Sequence, residues 1–143
     1  MPTTLPQVKL ALINHLLDNW PSTPVCESGA GGIDISGQVQ DNLFDSESEF
    51  IEIDIGLTAR GAAGVSRHSG TRVLAYLDVQ MYIMPGSGTM RLAELESQLY
   101  PLVERKTIGG AEIRNAQGQS KPYEFRGRLT KIVSFPIEYF ETT

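Results

Sequence analysis

The most constraining feature of the chain is a run of alternating apolar residues, Val73, Ala75, Leu77, Val79, Met81 and Ile83, that ends at Pro85-Gly86-Ser87-Gly88-Thr89 and passes straight into Leu92, Leu95, Leu99 and Leu102. A period of two changing to a period near 3.6 across a Gly-Pro turn predicts a strand that reverses into a helix packed back on the same sheet. The turn is not a phosphate cradle, because Gly88 is followed by Thr89 and no lysine comes after it. Ser87 or Thr89 is expected to cap the helix, which should end or kink at Pro101 and resume for a turn to Arg105.

Other elements follow from the same periodicities. Thr4-Leu5-Pro6-Gln7 reads as a helix start with a capping box, opening a helix to about Asn19 whose stripe of Leu5, Val8, Leu12, Leu16 and Trp20 needs a sheet to lie on. His15 is expected to be structural, and Trp20 and Tyr139 to be core residues. Pro21, Pro24 and Ser28 to Gly32 form a loop before a short strand expected at Ile33, Ile35 and Val39. Ile51, Ile53, Ile55 and Leu57 alternate with Glu52, Asp54, Gly56 and Thr58 as a half-buried strand.

Toward the C-terminus, Ala111 to Arg114 is a short strand after Gly109-Gly110. A last alternating run sets Tyr123, Phe125, Leu129, Val133, Phe135, Ile137 and Tyr139 on one side. Arg126, Arg128 and Glu138 fall on the wetter side, Gly127 marks a bend, and Pro136 places that stretch at an edge or on a side without a ladder partner. The fold class expected is α+β: two main helices on one face of a mostly antiparallel twisted sheet of about four to five strands, as one domain over all 143 residues.

Charge is unevenly placed. Residues 1–59 hold one base, Lys9, against nine acids, and residues 60–143 hold eleven bases against eight acids, within a net charge of −5. The acidic half argues against simple nucleic-acid binding, which calls for a clustered basic face. Such a dipole suits a head-to-tail contact between identical copies. Residues 59–71 are small, aperiodic and basic, and are expected to form a mobile hairpin loop; Arg60, Arg67, His68 and Arg72 are its candidate contacts. The acidic loop with Asp45, Glu47 and Glu49, and Arg126 with Arg128, complete the candidate assembly surface.

No catalytic, cofactor or metal site is expected. Cys26 stands alone, which excludes an intramolecular disulfide, and Asp45, Glu47 and Glu49 lack the central glycine and closing glutamate of a calcium loop. The N-terminal stretch does not read as a secretory signal, and no run is long enough to cross a bilayer as a helix. An enzymatic alternative, a small metal-dependent nuclease or hydrolase, would draw on Glu52, Asp54 and His68.

The order of elements resembles that of the tail-terminator proteins of long-tailed bacteriophages, including tail terminator-like minor tail proteins. Ser69-Gly70-Thr71-Arg72-Val73-Leu74-Ala75 through Met84-Pro85-Gly86-Ser87-Gly88, and Phe135-Pro136-Ile137-Glu138-Tyr139, carry the resemblance most visibly. It implies a homo-oligomer, a hexameric ring, on the head-proximal end of a tail tube, assembled in the host cytoplasm. Its partners would be the tail tube protein and a head-completion or connector protein, with no membrane involved. DNA would pass through the channel without specific binding, and the Arg60 to Arg72 stretch would then face a protein. A head-tail connector ring is the alternative within the same resemblance.

Overall fold

The computed structural model describes residues 4–62 and 70–141. Helix α1 (Leu5–Asn19) is followed by β1 (Val25–Glu27), β2 (Phe50–Ala62) and β3 (Thr71–Tyr82), then α2 (Thr89–Val103), β4 (Thr107–Ile108), β5 (Ala111–Ile113), β6 (Tyr123–Phe125) and β7 (Arg128–Glu141). The expected sheet of four to five strands under two helices is corrected: seven strands form one mixed sheet that curls into a half-barrel, and strand outweighs helix. Its order is β1-β2-β3-β7-β5-β4, with β6 beside β7; β1 runs parallel to β2 and every other pair is antiparallel.

Three long strands make the frame. β2 and β3 pair from Phe50↔Tyr82 to Ala62↔Thr71, and β3 and β7 from Tyr82↔Thr130 to Thr71↔Glu141. Residues 59–62 and Thr71, expected in a loop, are therefore strand, while residues 63–69, with Arg67 and His68, lie outside the described residues. A bulge at Leu57/Ala59 shifts the β2 register by one, so Arg60 comes level with Val73. The four added strands are two or three residues long. β1 forms at Val25–Glu27, and no strand forms at Ile33 to Val39, where the Asp34 carboxylate instead accepts from the backbone N–H groups of Ser36, Gln38 and Val39.

Both helices lie on one sheet face. The capping box of α1 is present, with Thr4 N–H donating to Gln7 Oε1 at 3.1 Å, and Val8, Leu12 and Leu16 are fully buried. Trp20 is buried with its indole N–H donating to Thr23 Oγ1 at 2.9 Å. Helix α2 runs through Pro101 and ends two residues later at Val103; the proline lacks the N–H that would bond the Ser97 carbonyl, so only the last turn is affected, and the N-cap is Gly88, not Ser87 or Thr89. His15 Nε2 lies 2.7 Å from the Leu102 carbonyl and ties the helices together. The main core joins these faces to Ile51, Ile53, Leu77, Val79, Met81, Val133, Phe135 and Tyr139.

Two turns show why their residues are needed. Arg126 and Gly127 both have positive φ, 52° and 78°, which makes the two-residue turn between β6 and β7. The bend expected at Gly127 is thus a full reversal. Gly109, at φ 59°, passes so close to α1 that a side chain there would meet Ala11 Cβ at 2.5 Å. Pro136 lies inside the sheet, opposite Tyr76 of β3, with its carbonyl accepting from Arg114 N–H. A residue's N–H and C=O point to the same side of a strand, so the missing N–H faces away from β3 and breaks no bond of that ladder.

Candidate assembly surface

The sheet face away from the helices carries Glu52, Asp54, Arg72, Leu74, Tyr76, Asp78, Gln80, Tyr82, Thr130, Pro136, Glu138 and Phe140, by the alternation of the paired strands. Its two ends differ. At the Tyr82 end the 34–49 loop folds down and closes a second small core of Cys26, Leu43, Phe50 and Tyr82, with Val39 and Phe44 against it. Phe50 and Tyr82 stack at 4.7 Å, and Phe44 meets both edge-on.

Arg128 is the key to that covered end. It was expected on a wet face, yet it is 2% exposed. Its guanidinium donates to the carbonyls of Ser48 at 2.7 Å, Leu43 at 3.4 Å, Ile83 at 3.5 Å and also Ser46, and it lies 5.3 Å from the Phe50 ring centre. Among the described residues no carboxylate reaches salt-bridge distance of it; burial lowers its pKa, and the nearby Glu47 charge opposes that. This arginine therefore fastens a loop instead of meeting a partner. Arg126 does remain exposed, 5.0 Å over the Phe44 ring and 5.4 Å over Phe125.

In the acidic loop, Asp45 and Glu47 are exposed, whereas Glu49 is held by Arg91 at 2.8 Å. Along the middle of the face the register sets Asp54 directly opposite Asp78, a repulsive pair, with Tyr76 Oη donating to Asp54 at 3.3 Å. Burial and then the charge of Asp54 raise the Glu52 pKa, against a hydrogen bond from Tyr82. Of the Glu52, Asp54 and His68 set of the enzymatic alternative, Glu52 and Asp54 lie two residues apart on one face of β2, and His68 is outside the described residues. Among the described residues no three His, Cys, Asp or Glu side chains are placed to hold one metal ion. Cys26 is fully buried, and burial followed by the charges of Glu52 and Asp34 pushes its thiol up to about 12, far from a thiolate nucleophile.

At the opposite end the outer strand is bare while Val73 and Tyr139 behind it stay in the core. From Leu57 to Ala62 every residue of β2 is exposed, and Phe140 is 51% exposed. Arg60 pairs with Glu141 at 2.5 Å, and Glu138 receives both Arg72 at 3.0 Å and Arg114 at 2.8 Å. The hydrogen bond from Arg72, together with both arginine charges, holds the Glu138 carboxyl below its ordinary range. Arg114 and Glu138 were not singled out as a pair from the sequence, because these positions, 24 apart along the chain, meet only through β5 beside β7. A groove of about 270 Å³ runs between them, lined by Thr58, Arg72, Leu74, Arg114, Pro136 and Glu138.

No helix among the described residues is long and apolar enough to cross a membrane. No protein-family model matches the chain, and no curated protein matches it. It is similar to a solved chain known only by a serial label, with 20% identity over 94% of each chain and a TM-score of 0.53, a likeness that shows the fold alone.

Proposed function

We propose that this chain is the subunit of a ring that caps the tail tube of a long-tailed bacteriophage, ends tube growth and offers a joining surface to the head. The observation that carries this reading is the far end, or arm, of the β2–β3–β7 sheet: β2 is exposed from Leu57 to Ala62 and Arg72 and Phe140 stand out on the helix-free face, while Val73 and Tyr139 anchor the other face in the core, and its charges are engaged in ion pairs. Long uncovered strand edges of this kind are templates for another chain. The order of elements that resembles the tail terminators, and the acidic and basic halves of the chain, support the same reading.

Termination by such a subunit is geometric. One ring face matches the last tube ring, the other lacks what recruits a further tube subunit, and heterologous contacts that close on themselves leave no growing end. No residue need act as acid, base or nucleophile. A neck or connector ring shares the geometry and is told apart by the ring beside it.

The test is light scattering of the purified chain across concentrations, with negative-stain images, alone and with tube subunits. Closed rings, or tubes of limited length bearing a cap at one end, are expected. Tubes whose length ignores the protein, together with a monomer at every concentration, would overturn the proposal.

A further inference from the structure

The arm has two bare edges. On its outer side β2 is paired by β1 only at Ile51 to Ile53, so that among the described residues no strand lies beside Asp54 to Ala62. On the other side β5 pairs with β7 only at Ile137 and Glu138, so that among the described residues no strand pairs with Tyr139 to Glu141 away from β3. The two bare stretches are level, since Ala62 pairs with Thr71 and Thr71 with Glu141. Natural sheets protect long edges with proline, lysine or inward charge. Ile55 to Ala62 has none of these beyond its one bulge and Arg60.

We infer that the bare β2 edge of one copy pairs with the bare β7 edge of the next, so that the arms of the ring join into one continuous sheet. The inference rests on the ring reading and names its joint. The occupant is a second copy because the chain carries both complementary edges, at one level and on opposite sides of one ribbon. Their charges also match where the two stretches are level: Arg60 to Ala62 holds one base and no acid, and Tyr139 to Glu141 holds one acid and no base. The ion pair of Arg60 and Glu141, which spans β3 within one chain, can equally form across the joint.

Symmetry fixes the direction of the pairing. Both β2 and β7 are antiparallel to β3 and so run parallel to each other. Rotation about a ring axis lying along the strands preserves that direction, and the joint is a parallel pair. Only about three residues of β7 take part at each joint, so single contacts are weak and assembly depends on closure or on a tube end as template. A closed sheet has no edge left, which also ends the risk of open-ended stacking.

Cysteine pairs test the joint. Gly61 is level with Arg72, and Arg72 with Phe140, so within one chain positions 61 and 140 are two strand spacings apart, about 9.6 Å, beyond the ~7 Å that a disulfide spans. An added side chain at Gly61 meets nothing within 4 Å, and Phe140 is exposed, so Gly61→Cys/Phe140→Cys should fold. Ala59→Cys/Phe140→Cys covers a joint staggered by two residues, and the buried Cys26 does not compete. Under mild oxidation of assembled protein, one of these pairs is expected to give a reducible ladder of covalent multimers on a denaturing gel, while each single-cysteine variant stops at dimer. Rings that form normally but yield no ladder from either pair would overturn the joint and leave the ring reading standing. Failure of the unsubstituted chain to assemble, alone or on tube ends, would overturn both.

Discussion

The two ends of the helix-free sheet face start from the same alternating strands and meet opposite fates. At one end Phe50, Tyr82 and Arg128 lie under the 34–49 loop, with the arginine bonded to four of the surrounding carbonyls. At the other, Arg72 and Phe140 stand in solvent beside a β2 strand that is exposed from Leu57 to Ala62. Alternation decides which residues share a face, but only the chain that later folds over that face decides whether it is wet. A charged residue can be the centre of one end and a surface ion pair at the other.

Leucine truncation gives the largest contrast. Leu77 is fully buried, and Leu77→Ala should cost about 2–5 kcal/mol. Leu57 is 43% exposed, and Leu57→Ala should stay within about 0.5 kcal/mol of the parent in the isolated chain. Urea unfolding of both variants reads the difference; equal losses would mean that the arm is packed as tightly as the body.

Arg128→Met comes next. It removes a charged donor from the carbonyls of residues 43, 46, 48 and 83, and should cost about 1.5–3 kcal/mol. Amide exchange should rise first in residues 43–48. Arg72→Met at the other end should leave the melting temperature within a degree or two, since its pair with Glu138 is exposed.

The smallest effect is a pH dependence. The folded Glu52 has a raised pKa, so its ionised form penalises the folded state, and stability should increase as the pH falls from neutral toward its ordinary 4.5. Glu138 is held low, so its contribution is present above 4.5 and lost as the pH drops through its folded value. Thermal melts of Glu52→Gln should lack the gain on mild acidification and keep the loss below it; an unchanged profile would show that Glu52 is not strained.

The long elements were legible in the sequence because each carries its own period: α1, α2, β2, β3 and β7 lie on their apolar runs, although β2 continues into residues 59–62 expected as loop and the run from Tyr123 to Tyr139 breaks into β6 and β7 at Arg126-Gly127. What was not legible depends on a partner strand. β1, β4 and β6 are two or three residues long and exist because β2, β5 and β7 offer an edge to pair with, so counting periodic runs gave too few strands. Arg128 looked solvent-facing because nothing local signals that residues 43–48 will turn four carbonyls toward it. The candidate surface was legible in part: Arg60 and Arg72 do lie on neighbouring strands at one end of the sheet, though on opposite faces, while their partners Glu141 and Glu138 sit more than sixty residues away and were found only through the β3–β7 register.

The most direct test of the contrast between body and arm is amide hydrogen exchange, followed in the isolated chain and in the assembled cap on tube ends. Residues 50–53 and 76–82 should be protected in both states, whereas 55–62 and 139–141 should exchange quickly in the isolated chain and become protected on assembly. An arm already as protected as the body in the isolated chain, or one that stays unprotected in the assembled cap, would contradict that contrast.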